Sequence, residues 1–471
     1  MKKRLLKFVF AALIPASAFF IVSCKGESPT EQDPSATVFE DDGYGNITVT
    51  DRGNGVGDIT FTSDKIWLLN GFVFVNEGQV LTIEPGTLIK GKPGTGENAG
   101  ALIVARGGKI IAEGTSEKPI IFTAEADNRE GTGVDMNAAG LWGGLIILGK
   151  ATTNNLTLDK AIEGIPTSET RGLYGGNDDN DNSGIIKYVS VRHGGSDIGE
   201  GNEINGLTLG AVGRGTVIDN VEIVANKDDG IEFFGGAVTV KHALVVNCGD
   251  DSFDYDQGYH GKGQFWVSIQ AEYSDRGGEH DGGPSDNETG TPYAIPEIYN
   301  VTYISAEDGN SRTFTLRDNA GVTYANSLFV NFDKGIDIEY LQDESGNTAE
   351  CSFKMFQNGK VNIKNNVFYN VAGQTDNDDF DAAELLKISV PEDENGNPVY
   401  EVPEEYKNAW TESFLLNDNI VADPGISSGN PVPENPQTDN LAPYPEGLDE
   451  VNYKGAFGDV NWAKGWTLTF K

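Results

Sequence analysis

The sequence predicts an all-β fold, a parallel β-helix or solenoid with loop insertions and a C-terminal aromatic cap. The first observation is a repeat: residues 221–236 are followed 22 residues on by residues 243–258 in the same pattern of apolar run, acidic turn and short second strand. A fixed period of this length is one supersecondary unit repeated along an axis. The second is composition, with 60 glycines among short β-branched runs and little helical periodicity. The third is length: 471 residues exceed a usual single core, whereas a solenoid grows by stacking coils.

The elements follow in order. Lys2, Lys3, Arg4 and Lys7 precede an apolar run over residues 8–22 that closes on Ile21-Val-Ser-Cys24. The run is too short for a membrane span of about 20 residues and reads as a signal peptide over residues 1–23. Its end resembles a bacterial lipobox, which implies Cys24 as the acylated residue and a lipid anchor in the outer membrane. Residues 24–40 are polar and proline-bearing, a flexible tether. The β-helix is expected over residues 41–372, with short apolar strands at 81–89, 101–111, 118–123, 141–148 and 186–195 separated by Gly, Pro or charged turns.

Within the repeat, alternation predicts Leu207, Ile231, Phe253 and Ile336 inward and Thr208, Glu232, Asp254 and Asp337 outward. Segments 174–182, 273–296 and 373–417 break the period and are expected as insertions, the last with a helix over 380–388. Residues 373–471 are read as insertion and cap, because Tyr453, Phe457, Trp462, Trp466 and Phe470 can close an open stack.

Charge narrows the partners. With 72 acidic against 34 basic residues, net −38, nucleic acid is excluded as a partner, while cations and neutral ligands are favoured. Cys248 and Cys351 are too few for a disulfide framework, and Cys248 reads as a small buried apolar residue.

The sharpest chemical signal lies in the repeat. Its register stacks Asp228 on Asp250, Asp229 on Asp251 and Glu232 on Asp254, with neighbouring coils about 4.8 Å apart. Carboxylates that close need a cation, a shared proton or full solvation. Asp179-Asn-Asp-Asn-Ser183-Gly184 supplies oxygens at alternate positions, as a calcium loop begins, making Asp179, Asp181 and Ser183 candidate ligands; the acid that would close an EF-hand is absent, with Ser190 in its place. The chemistry admits calcium and calls for no organic cofactor. His193, His242, His260 and His280 have no zinc spacing. Arg276, Glu279 and His280 lie on a glycine-hinged segment, 273–283, placed to close over a ligand.

Two resemblances follow from these motifs. Leu81-Thr-Ile-Glu-Pro-Gly, residues 106–115, residues 140–149 and Asp228-Asp-Gly-Ile-Glu-Phe-Phe-Gly-Gly236 together resemble right-handed parallel β-helix lipoproteins of Bacteroidota, of the pectate-lyase-like superfamily. Locally, the Asp229-Gly and Gly249-Asp-Asp251 turns one coil apart resemble polygalacturonase-type glycoside hydrolases. That likeness implies Asp250 as general acid, Asp229 and Asp251 as the water-activating pair and His280 as a further catalytic candidate. Lys227 stands where those enzymes carry Asn, and no Arg-Ile-Lys follows.

Three functions stand at this point. The leading one is a lipid-anchored protein binding a neutral or cation-bridged glycan through Asp228, Glu232, Asp254, Lys262, Arg276 and Glu279. The alternatives are a glycoside hydrolase and a structural or adhesive rod. A polysaccharide lyase ranks lower, because only Lys262 and Arg276 offer a base beside bound calcium.

Overall fold

The computed structural model describes residues 33–157, 160–162, 165–199, 202–284, 287 and 289–471. The expected signal peptide and Cys24 lie outside the described residues. Residues 35–471 form one compact unit.

The chain winds into a right-handed parallel β-helix. Ten strands stack in one sheet, from Phe72–Val75 through Leu207–Gly210, Ile231–Phe234, Phe253–Asp256, Gly278–Asp281 and Lys334–Glu339 to Leu386–Ser389. The remaining two faces belong to one larger sheet, because most coils bend once in mid-strand. In Val217–Val224 and Thr239–Val246 the bends are Asn220 and His242, at φ 56° and 49°. Later coils place Asn300, Asn326 and Asn365 at the same kind of corner, also at positive φ. Asparagine tolerates this left-handed conformation better than most residues, which explains its recurrence there.

The repeat pairs as its period implies: Leu207, Ile231 and Phe253 are in register, as are Thr208, Glu232 and Asp254. Leu207, Ile231, Phe253 and Ile336 lie in the continuous core. Aromatic stacking runs along it, with Phe253 and Trp266 rings 4.6 Å apart and Phe314 and Tyr324 also 4.6 Å apart. Cys248 and Cys351 are buried free thiols.

Several expectations need correction. The stack continues past residue 372, since Leu386–Ser389 pairs with Lys334–Glu339 and Ile420–Val421 with Val367–Tyr369. The helix expected over 380–388 is one turn, Ala382–Leu385, capped by Asp381, because Leu386, Lys387 and Ile388 are recruited into the sheet. The 273–283 segment is no free lid: Gly278–Asp281 is a strand of the stack. The C-terminal aromatics do not close the end. Phe353, Tyr406, Trp410 and Phe414 do, packing with Tyr340 and Phe368 around the helices Ser352–Gln357 and Glu404–Leu416.

The last 30 residues run instead as a strap along the flank of the larger sheet. Amides at or beside the bends fasten it. Asn326 pairs both ways with the backbone of Ala442, at 2.8 and 3.0 Å, and Gln264 does the same with Asp449, at 2.8 Å each. Asn300 donates to the Tyr453 carbonyl. Phe457 then packs in a cluster with Leu244, Phe265 and Val267. Covering Leu244, Phe265 and Val267 with the strap removes their apolar surface from water.

Candidate functional site

The outer face of the ten-stranded sheet divides in two. Toward the N-terminal coils it is apolar: Phe72, Phe74, Ile103, Ile146 and Phe234 are packed with Ile162, Tyr174 and Ile204 of the covering insertions. Beyond Phe234 it becomes a ladder of charge, set by three in-register columns. At the corner before the sheet, Asn205, Asp229, Asp251, Arg276 and Arg312 succeed one another. On the strand, Glu232, Asp254, Glu279, Thr315, Asp337 and Lys387 follow. Alongside run Asp256, Asp281 and Arg317. Acids dominate the earlier coils, and arginines enter the later ones, where Asp337 pairs with Arg312 and Lys387.

Where the signs meet, ion pairs form. Arg276 Nη1 lies 3.1 Å from Asp251 Oδ2, 3.0 Å from Asp275 and 2.6 Å from Glu279. Arg317 Nη2 reaches Glu279 at 2.8 Å and Asp281 at 2.9 Å. The Asp251 backbone N–H donates to Asp229 Oδ1 at 2.9 Å. The acidic end has another character: Asp229, Glu232 and Asp254 each place an oxygen within 4.8 Å of the others. Asp228, Asp229 and Asp250 form a second such group, and Asp250, Asp251 and Asp275 a third.

Burial and mutual repulsion push Asp229 and Asp254 well above the usual carboxylate range. Asp251 is also raised well above it by burial and by Glu279, in spite of Arg276. Burial moves Asp256 up to about 7 against the pull of the Gln257 N–H. Among the described residues Asp251 Oδ1, Asp254 Oδ1 and Asn205 Oδ1 are buried and accept no hydrogen bond. A divalent cation fits this donor set: hard, close carboxylate oxygens with unsatisfied neighbours.

The structure brings Asp228, Asp229, Asp250, Asp251, Glu232, Asp254, Arg276 and Glu279 together on one corner and face. It corrects other assignments. Asp229 and Asp251 are 7 % and 1 % exposed, so the carried-over water-activating pair lies within the wall and only Asp250 stands open. The Asp229 and Asp250 oxygens, within 4.8 Å, are closer than the roughly 6.5–9.5 Å that an inverting pair keeps for its water. Lys262 belongs to another corner, paired with Glu297 at 2.6 Å. Asp179 and Asp181 do not form a calcium loop: Asp179 accepts from the Thr152 N–H and pairs with His260, Asp181 accepts from the Lys150 N–H, and Ser183 is buried. Backbone donors and His260 take oxygens that a calcium loop would direct to the ion.

His280 points inward. It stacks on Tyr255 at 4.2 Å, its Nε2 is 2.8 Å from Tyr324 Oη, and burial pulls its pKa down to about 3. Strand alternation decides this, since Glu279 faces out. An unfolded imidazole titrates near 6.5, so the contribution of neutral His280 is present above that pH and is lost as pH falls toward 3. His280→Phe is expected to flatten the pH dependence of the melting temperature in that interval and to leave ligand affinity intact; a binding defect without a stability change would return His280 to the site. Arg317 is absent from the sequence-based site, although the Thr315-Leu-Arg317 alternation matches Glu279-His-Asp281 and could have revealed it.

Fold and site together define a parallel β-helix that carries an in-register ladder of acids and arginines on the outer face of its ten-stranded sheet. The family model described as a pectate-lyase like beta helix domain matches residues 53–414, and the chain belongs to that family. Membership points to a carbohydrate-related protein. No curated protein and no solved structure matches the chain.

Proposed function

We propose that this protein binds a glycan along the charged face and that a divalent cation, calcium by ligand chemistry, completes its acidic end. The observation that carries the reading is the triad Asp229, Glu232 and Asp254 beside the buried, unsatisfied oxygens of Asp254 and Asn205, opening onto the Arg276 and Arg317 rungs. Carboxylates crowded at this spacing favour a cation, and the Asn205 amide that donates to Glu232 leaves its own oxygen without a donor. Asp229, Glu232, Asp254 and the Asn205 amide oxygen would hold the ion, which would offer a sugar's oxygens a positive centre. Beyond it, guanidinium groups and carboxylates provide hydrogen-bond donors and acceptors for hydroxyls. Lipid anchoring in the outer membrane through Cys24 belongs to the same proposal.

A hydrolase is the second reading, favoured by one feature: Asp250 is open to solvent, and burial of its carboxyl with the nearby Asp275 charge raises its proton affinity, as a general acid requires. The occlusion of Asp229 and Asp251 places it behind the binder.

Millimolar Ca²⁺ is expected to raise the melting temperature by a few degrees, since a ligand present at about 100 times its Kd stabilises the folded state by about 2.7 kcal/mol. Glu232→Gln with Asp254→Asn should abolish the rise, whereas Asp179→Ala with Asp181→Ala should lower stability equally with and without calcium. A glycan array run with calcium and with EDTA, followed by a reducing-end assay, separates the functions. Calcium-dependent capture without sugar release supports binding; release that Asp250→Asn abolishes establishes the hydrolase; silence in both arms leaves a structural rod.

A further inference from the structure

Between the strap and the flank of the helix lies a cavity of about 370 Å³ that shares no lining residue with the charged ladder. Its wall carries Lys118, Arg129, Arg192 and Lys471, the last with its ammonium on the Glu130 carbonyl, and Glu117 is its one acidic side chain among the described residues. In a chain of net charge −38 such a concentration of cations runs against composition. Surface lysines alone would mean little, but Arg192 is different: it is 2 % exposed and held in place, Nε donating to Ser190 Oγ at 2.8 Å and Nη1 to the Arg129 carbonyl at 3.1 Å.

The acids behind Arg192 are occupied elsewhere. Glu222 accepts from Ser190 Oγ and the Leu468 N–H on one oxygen and from the Thr469 N–H and Oγ1 on the other. Asp127 accepts from Thr123 Oγ1 and the Gly133 N–H. The guanidinium makes no direct hydrogen bond to either carboxylate, with Ser190 standing between it and Glu222, although both acids lie near enough to act on its charge. Pro119 and Trp466 add apolar surface to the same wall. A volume of this size falls in the range of small-molecule sites, roughly 300–1,000 Å³, and a fixed guanidinium suits a planar or tetrahedral oxyanion.

We propose that this cavity is a second ligand site, independent of the charged ladder, taking a compact organic anion in which a carboxylate or sulfate on a ring-sized body is seated on Arg192. Lys118 and Arg129, both exposed, steer the anion inward. The strap forms one side of the site, so occupancy ties the C-terminal residues to the coils beneath.

Calorimetric titration with glucuronate, glucose 6-sulfate and glucose tests it on the full chain. Both anions should bind, with affinity falling as salt rises, and glucose should not. Lys118→Glu with Arg129→Glu alters only exposed groups and should weaken binding about tenfold or more, because like charge then faces the ligand. Asp254→Asn should leave it unchanged. Absence of binding by both anions, equal binding of glucose, or indifference to the double charge reversal would overturn the proposal. Arg192→Lys, checked for folding by circular dichroism, should also weaken binding, because lysine cannot reproduce the fork.

Discussion

Arg276→Ala is expected to destabilise the protein by about 3–5 kcal/mol, the range for removing one partner of a buried ion pair. Arg276 stands at the junction of the acidic and basic coils and is the cation nearest Asp251, whose side chain is 2 % exposed. Asp251 is already pushed well above the usual carboxylate range by burial and Glu279, and without Arg276 it loses the counter-ion opposing that push while Asp275 adds repulsion. Glu279 would retain Arg317, so the damage concentrates on Asp251. Arg276→Ala combined with Asp251→Asn should therefore recover much of the loss. Chemical denaturation of both single variants and the double variant measures the coupling; additive effects would mean that the pair does not hold the corner together.

The second large effect belongs to Glu222→Ala. Glu222 is fully buried and receives four donors, two of them strap backbone N–H groups. Removing it leaves the Leu468 and Thr469 amides without their acceptor and Ser190 without its link between Glu222 and Arg192. Unsatisfied buried groups cost about 1–3 kcal/mol each, so a loss of about 3 kcal/mol or more is expected, concentrated on the strap. Limited proteolysis should cut after residue 455 in the variant while the coils resist, and Glu222→Gln, which keeps an acceptor oxygen, should be milder. A strap as resistant as wild type would show that the amides of Gln264, Asn300 and Asn326 suffice to hold it.

Legibility in the sequence follows distance along the chain. Between residues 217 and 258 no insertion interrupts the coil, so the pairing of Asp229 with Asp251 and of Glu232 with Asp254 can be counted from the period. Past Gly278–Asp281 the spacing to the next sheet strand jumps, because residues 282–311 include a detour before Arg312–Arg317 returns to the stack. The basic half of the ladder was hidden for that reason. His280 was placed on the wrong side because Gly277, Gly278, Gly282 and Gly283 read as loop, and without a recognised strand there is no alternation to assign faces.

By itself, then, the sequence determined the coil, its inward apolar stack and the crowding of acids on one corner, because these depend on a local period and on the two-residue alternation of strands. Tertiary structure decided which acids are buried, which arginines answer them, where the C-terminal aromatics go and that a basic cavity forms beneath them. Those outcomes join residues far apart in sequence, Asn326 with Ala442 and Glu222 with Leu468 among them. Burial and hydrogen-bond completion select such contacts only once the coils are stacked, and no period in the chain encodes them.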